Sequence, residues 1–425
     1  MIYIKNVLLN EQRTNILIDG NRISAIGADV KQPAQATVID GTNRVAFPTF
    51  ANVHTHATMT LFRGFGDDHD LGDWLNNWIW PNERNLNPEI IYWGAKLAAV
   101  EMIKSGTTAC ADMYFFPTDV ARAFEDCGIR AMVSNSYVSF NAEMAAGVRK
   151  SIEELEPTIE EWNKSHQLTQ ITINVHASNT VDDDSLRLAS EFCARHNTLY
   201  HIHMNETQAE IDTCMERFGC RPYEHLEQLG IMEQCGSRLI GAHSLHLSDN
   251  EIAILAKYHA NVVHNPNSNL KLASGHQFLY NELRDAGVNV TLGTDGCSSS
   301  NNLDMIEAAK VMSLLQKGWR KDPLALPATE VLKVATANGY KALRLDGGEI
   351  AVGKLADLML VDLDNLAFVP NNNSISNLIY AAHGDAVNTV ICNGAIVMQD
   401  RHVKGEEETI REARRVVNQL ITIRP

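Results

Sequence analysis

The sequence predicts an α/β protein: a (β/α)8 TIM-like barrel with a small β-sandwich built from both ends of the chain. Three observations predict it. Short apolar runs alternate with amphipathic stretches through the middle of the chain. Histidines and one aspartate recur at the ends of those runs, and both chain ends revert to turn-punctuated, strand-like patterns. Alternating strand and helix implies parallel pairing, and eight such units close naturally into a barrel. A doubly wound sheet is the competing arrangement. It would spread the strand-end histidines along an edge, whereas a barrel gathers them at one mouth.

In chain order, residues 1–43 carry strand-like stretches at Ile16–Gly20, Asn21–Gly27 and Val38–Gly41. Arg44–Ala51 is the first buried strand. Pro88–Ser105 is the clearest helix: Asn87 can cap it, Pro88 suits the first helical position and Gly106 suits the exit. Later strands are Thr107–Asp112, Ile129–Ser134, Ile171–His176, Leu199–His203, Arg238–His243, Asn261–His264 and Val288–Asp295, which with Arg44–Ala51 make eight. Helical patterns at Asp184–His196, Asp249–His259, Phe278–Gly287 and Leu303–Gln316 separate many of them. Strand-like stretches return at Glu349–Lys354, Ala356–Asp362, Asn388–Gly394 and Ala395–Met398. The expected division is a composite sandwich from residues 1–47 and 349–425 around a barrel at 48–348.

Composition narrows the function classes. The 425 residues are 45% apolar, ample for a large core and against disorder. Lys and Arg number 36 against 52 Asp and Glu, a formal charge of −16, which repels phosphate backbones and anionic membranes. No nucleic-acid polymer and no membrane is expected as a partner. Eight scattered cysteines with no CxxC fit a reducing compartment. The opening Met1-Ile-Tyr-Ile-Lys5 lacks the regions of a signal peptide, so the expected location is cytoplasmic.

The chemistry centres on His54-Thr55-His56, where alternation along a strand puts both imidazoles on one face. Imidazole suits Zn²⁺ and related divalent ions. His203 ends a later strand, with Glu206 three residues on, and Asp295 ends the last in Gly293-Thr-Asp-Gly296. Three histidines and an aspartate at one barrel mouth suit a single divalent ion, which lowers the pKa of a water it holds towards neutrality. Glu206 is then placed to move protons rather than bind metal. His264 reads as structural support, and Cys297 as packing.

Further blocks accompany these residues: Ala51-Asn-Val-His-Thr-His56; Leu61-Phe-Arg-Gly64 with Asp67-Asp68, Trp74, Trp80-Pro81 and Glu83; Ser105-Gly-Thr-Thr108 with Asp112-Met-Tyr114; Gly241-Ala-His243; His264-Asn-Pro266 with Ser268-Asn-Leu-Lys-Leu-Ala-Ser-Gly275; and Asn301-Asn302 after Gly296. Over nearly its whole length the chain thereby resembles the amidohydrolase superfamily, and within it the 5'-methylthioadenosine/S-adenosylhomocysteine deaminases. The resemblance implies a barrel of the metal-dependent hydrolase type and one catalytic ion, zinc, held by His54, His56, His203 and Asp295. It implies that Glu206 carries a proton from water to the purine ring nitrogen beside the amino carbon, while His243 and Asp295 orient and deprotonate that water. Glu83 would accept the ribose hydroxyls, His176 would contact the substrate, and Trp74 would flank the nucleoside.

Relatives that grip the homocysteine carboxylate present an arginine just after the third strand. Asn135 stands there in this chain, and a second family arginine falls near Arg149. Neutral 5' substituents are therefore expected to be preferred. The expected activity is hydrolytic deamination of adenosine, 5'-deoxyadenosine or 5'-methylthioadenosine, with S-adenosylhomocysteine disfavoured. Alternatives are a deaminase or chlorohydrolase of guanine, cytosine or an s-triazine, which needs no ribose-binding acid at Glu83, and a non-catalytic scaffold of the same fold. The expected partner is a small nucleoside, with homo-oligomer formation left open.

Overall fold

The computed structural model describes residues 1–139 and 141–423. Five strands open the chain: β1 (Ile2–Leu9), β2 (Gln12–Asp19), β3 (Arg22–Gly27), β4 (Thr37–Asp40) and β5 (Arg44–Pro48). Eight barrel strands follow: β6 (Phe50–Thr55), β7 (Thr107–Tyr114), β8 (Arg130–Asn135), β9 (Thr169–Thr172), β10 (Tyr200–Met204), β11 (Leu239–His243), β12 (Asn261–His264) and β13 (Asn289–Leu292). The chain closes with β14 (Leu358–Asp362), β15 (Val387–Cys392), β16 (Ala395–Gln399) and β17 (His402–Val403).

The barrel strands form two parallel four-stranded sheets, β6-β7-β8-β9 and β10-β11-β12-β13. At one seam a parallel bridge joins Ala177 to His203. At the other, the Asp295 amide donates to His54 O at 3.0 Å, and Asn52 exchanges bonds with Thr294 through Nδ2 at 2.7 Å and Oδ1 at 3.0 Å. Residues of β6, β7, β10, β11 and β12 are buried throughout, as parallel strands covered on both faces require. The helix over Pro88–Lys104 starts as its sequence dictates: Asn87 Oδ1 accepts from the Glu89 and Ile90 amides at 3.0 and 3.1 Å.

Both chain ends build one nine-stranded sheet, ordered β17-β16-β15-β14-β5-β1-β2-β3 with β4 beside β1. β3 bridges back from Arg22 to Leu355, so the sheet curls over its own core of Ile4, Val7, Ile16, Ile18, Leu358, Leu360 and Ile391. The run read as one strand at Arg44–Ala51 is two. β5 pairs with β14 in this sheet, the chain turns at Thr49, and β6 enters the barrel beside β7. The last helix, Glu406–Leu420, leaves the sheet and joins the barrel helix Pro88–Lys104 through Arg415–Glu89 at 2.5 Å and Lys104–Glu406 at 2.6 Å. Among the described residues no helix is long and apolar enough to cross a membrane.

Candidate active site

The carboxyl ends of β6, β10 and β11, with the segment after β13, bring His54, His56, His203, His243 and Asp295 together. His54 and His56 alternate along β6 onto one face. His243 and Asp295 sit at φ values of 70° and 63°. Such left-handed backbone costs a residue with a Cβ about 1–3 kcal/mol and is found where the surrounding structure imposes it.

Asp295 Oδ1 lies 3.5 Å from His54 Nε2 and 3.3 Å from His56 Nε2. The Nε2 atoms of His56 and His203 are 3.3 Å apart. Each of these two rings commits its Nδ1–H to a backbone carbonyl: His56 to Met113 O at 2.5 Å and His203 to His176 O at 2.7 Å. A carbonyl only accepts, so in the neutral rings both facing Nε2 atoms present lone pairs to each other. His54 Nδ1 is paired with His201 Nε2 at 2.9 Å, and His54 Nε2 is buried without a partner. Imidazole nitrogens and a carboxylate converging on one point are stabilised by positive charge there, either a proton on His56 or a metal ion. Burial acts to lower the pKa of His56, yet the hydrogen bond and charge of Asp295 outweigh it and raise the value to about 9. Burial acts to raise Asp295, but the neighbouring imidazoles of His54 and His56 hold its carboxyl well below the ordinary range. The cluster thus draws positive charge into a buried place. Imidazole and carboxylate donors without a thiolate fit a divalent ion such as zinc.

Beside this cluster stands a second pair. His243 Nε2 lies 3.8 Å from Glu206 Oε2, and Asn269 Nδ2 donates to His243 Nδ1 at 2.8 Å, leaving the ring proton on the Glu206 side. Burial, with Asp295 nearby, raises Glu206 to about 8, and burial lowers His243 to about 4. An acid that keeps its proton near neutrality beside a neutral imidazole is equipped for proton transfer.

The site opens into a cavity of about 470 Å³ lined by His56, Trp74, Glu83, Tyr114, His176, His203, Glu206, His243 and Asp295, among others. That volume suits a small organic ligand. Glu83 accepts from the Tyr114 hydroxyl at 2.5 Å, and burial raises its pKa to about 7. His176 Nδ1 is bonded to Thr180 Oγ1 at 2.9 Å. Trp74 is buried on the wall. Arg149 does not line this cavity. It sits on the helix Ala142–Ser165, which turns Ala145 and Val148 inward, and it faces Asp182 at 3.8 Å. Met144 from that helix reaches the wall instead. Asn135 also lies off the wall, in a neighbouring pocket with Phe116 and Tyr137, while Ser136 takes the place at the cavity. His264 is buried against Phe278 with ring centroids 4.2 Å apart, and Cys297 is buried.

Several site residues escaped the sequence reading. His201 backs His54, Ser268 Oγ donates to Asp295 Oδ2 at 2.6 Å, Asn269 orients His243, and Tyr114 holds Glu83. The buried Asp112 accepts the Ala57 amide at 2.5 Å just beyond His56. His201 was within reach, because His201-Ile-His203 repeats the alternation of His54-Thr-His56. The others occupy recognised blocks, but nothing in their spacing says which side chain they touch.

Comparison with known proteins places this geometry. The amidohydrolase family model matches residues 45–397. A 5'-deoxyadenosine deaminase of Methanocaldococcus jannaschii is 43% identical over 410 residues, covering 96% of each chain. A 5-methylthioadenosine/S-adenosylhomocysteine deaminase of Carboxydothermus hydrogenoformans is 43% identical over 403 residues, covering 93% of this chain and 91% of that one. Among solved structures, an adenosine deaminase from Xanthomonas campestris with bound zinc superposes with a TM-score of 0.93 at 31% identity, covering 99% of both chains. The zinc complex of atrazine chlorohydrolase from Arthrobacter aurescens, at 21% identity and a TM-score of 0.89, shares the fold.

Proposed function

The chain belongs to the amidohydrolase family, and from that premise we propose that it is a zinc-dependent hydrolytic deaminase of adenosine-type nucleosides. The observation that carries the reading is the shared cavity. One wall holds the convergent Nε2 atoms and the Glu206–His243 pair, and the same cavity is lined by Glu83, a half-buried carboxyl suited to a ribose diol. The similarity to deaminases of 5'-deoxyadenosine and 5-methylthioadenosine supports it.

His54, His56, His203 and Asp295 would hold the ion, with Ser268 and the Gly296 amide orienting the Asp295 oxygens at 2.6 and 2.8 Å. Bound there, zinc supplies a Lewis acid that lowers the pKa of water towards neutrality. Glu206 delivers a proton to the ring nitrogen beside the amino-bearing carbon, making that carbon electrophilic. His243, through its Nε2–H, and Asp295 orient the attacking water, and Asp295 removes its proton. The carbon–oxygen bond forms, the proton taken from water passes to the amino group, the carbon–nitrogen bond breaks to release ammonia, and the new hydroxyl returns its proton to Glu206 to leave an inosine-type product. Glu83 accepts the ribose hydroxyls, His176 contacts the nucleoside through its remaining nitrogen, and Trp74 flanks it.

The favoured substrates carry neutral 5' groups. Among the described residues lining the cavity, Arg84 is the one Lys or Arg, and it is solvent-exposed. A carboxylate on the substituent lacks the buried bidentate partner that an arginine would supply. Charged hydrogen bonds contribute about 1.5–3 kcal/mol, so their absence is worth roughly tenfold to a hundredfold. Steady-state deamination of adenosine, 5'-deoxyadenosine, 5'-methylthioadenosine, S-adenosylhomocysteine, guanine and cytosine by the zinc-loaded chain tests this. The three neutral nucleosides should exceed S-adenosylhomocysteine in kcat/KM by that factor. Turnover of guanine or cytosine in place of every adenosine would overturn the reading.

A further inference from the structure

Glu206 can serve as a proton carrier only if its carboxyl is held at one place against the reacting ring. Its backbone leaves β10 at Met204 and passes Asn205, at φ 52°, before the helix Gln208–Phe218 begins. A second buried acid, Glu210, lies one turn into that helix. One of its oxygens accepts the Asn205 amide at 2.9 Å, and the other accepts the Glu206 amide at 2.8 Å. Glu210 is fixed in return, since its own amide donates to Thr207 Oγ1 at 3.2 Å. The far edge of the turn is held by another buried acidic side chain, Glu251. Asn205 Nδ2 donates to Glu251 Oε1 at 2.8 Å and to His246 O at 3.0 Å, while Asn205 O accepts the Leu245 and His246 amides at 3.0 and 3.1 Å. Those residues lie two and three positions after His243. The same polar network therefore fixes the Glu206 backbone to the strand end that carries its neighbouring imidazole. A salt bridge buried for stability alone would pair with a cation. Glu210 instead spends both oxygens on two consecutive backbone amides, one of them that of Glu206 itself.

We propose that Glu210 is a positioning residue for catalysis, setting the Glu206 carboxyl by clamping the amides of Asn205 and Glu206. The proposal rests on Glu206 being the proton carrier. A carboxamide at 210 presents one oxygen and one N–H₂, so it satisfies one amide and opposes the other. A displacement on the order of 1 Å costs roughly 10²-fold in rate. The test is a double-mutant cycle on the zinc-loaded chain, reading kcat, KM, zinc content and melting temperature for Glu206→Gln, Glu210→Gln and the double variant. Glu210→Gln should lower kcat about 10–100-fold with KM within about threefold and zinc content unchanged, because it acts after binding. In the Glu206→Gln background it should lower kcat by less than about twofold, because the group it positions is already gone. Glu210→Asp, which keeps a carboxyl with two acceptor oxygens, should recover part of the loss, and it replaces Glu210→Gln in the cycle if the latter does not fold. Unchanged kcat in Glu210→Gln, a loss that multiplies with that of Glu206→Gln, or a loss matched by missing zinc would each overturn the clamp. Full activity in Glu206→Gln alone would instead remove the proton-carrier reading on which the clamp depends.

Discussion

At the scale of single residues, the site is a set of groups held in protonation states that water would not give them. Burial raises Glu206 and Glu210 to about 8 and Glu83 and Asp112 to about 7, from ordinary values of 4.5 for Glu and 3.8 for Asp. In the metal-free chain these carboxyls keep protons that the unfolded chain has released, so their contribution to stability falls as pH rises through that window. Burial lowers His54, His176 and His243 from 6.5 to about 4, which acts in the opposite sense, but only up to about pH 6.5. His56, raised to about 9, prolongs the fall. The metal-free chain should therefore melt at progressively lower temperature from pH 6.5 to 9, with a shallower decline once zinc is bound. Thermal melts with and without zinc check this; a metal-free melting point that is flat or rising over the interval contradicts it. The clustering of His54, His56, His203, His243 and Asp295 was legible in the sequence because strand alternation and strand ends place them. Those that act behind them, Asn269 and Ser268 above all, were not, because a hydrogen bond across a barrel has no local pattern.

At the scale of elements, the barrel seam between β6 and β13 decides the geometry. Asp295 reaches the His54 carbonyl because Gly293 lets the two backbones approach. A Cβ on Gly293 would press on Asn265 Oδ1 and lie 2.9 Å from His54 O and 3.0 Å from His54 Cβ. Gly293→Ala should destabilise the fold by about 1–3 kcal/mol, the usual scale of overpacking, and weaken zinc retention by moving Asp295 off His54. Urea unfolding with zinc analysis of the same samples measures both. Wild-type stability with full zinc would show that the seam tolerates the methyl group. Element positions were legible where periodicity is clean, as in Pro88–Lys104. They were not at Thr49, where two apolar strands of different sheets run together, nor over Ala142–Ser165, a 24-residue helix that carries Pro157 within it. A proline ordinarily argues against a continuous helix, and here packing against the barrel overrides it.

At the scale of the whole molecule, barrel and curled sheet are locked together at the barrel end opposite the histidines. Asp357, at the start of β14, accepts from Arg130 Nε on β8 at 2.7 Å, from the Asn393 amide at 2.6 Å and from Tyr340 Oη at 3.1 Å. Tyr340 Oη in turn meets Thr49 and Thr108, where β6 and β7 begin. Removing one partner of a buried ion pair costs about 3–5 kcal/mol. Asp357→Ala should lose stability on that scale while leaving KM for the nucleoside unchanged, and chemical unfolding beside steady-state kinetics would show it. A loss under about 1 kcal/mol would mean that Arg130 finds another partner. The composite of both chain ends was legible as strand-like flanks around an α/β middle, but the Asp357 hub was not, since Thr49, Thr108, Arg130, Tyr340 and Asn393 are scattered along the chain.

The curled sheet also sets a timetable. Val45 of β5 pairs with Val361 of β14, roughly 300 residues later, so at ~5–20 residues added per second the inner edge of β5 stays open on the ribosome for roughly 15–60 s. Through that interval an apolar strand edge is a template for any neighbouring nascent chain. A message that stops short of β14 leaves the edge open for good, even though every residue of the histidine–aspartate cluster has already been made.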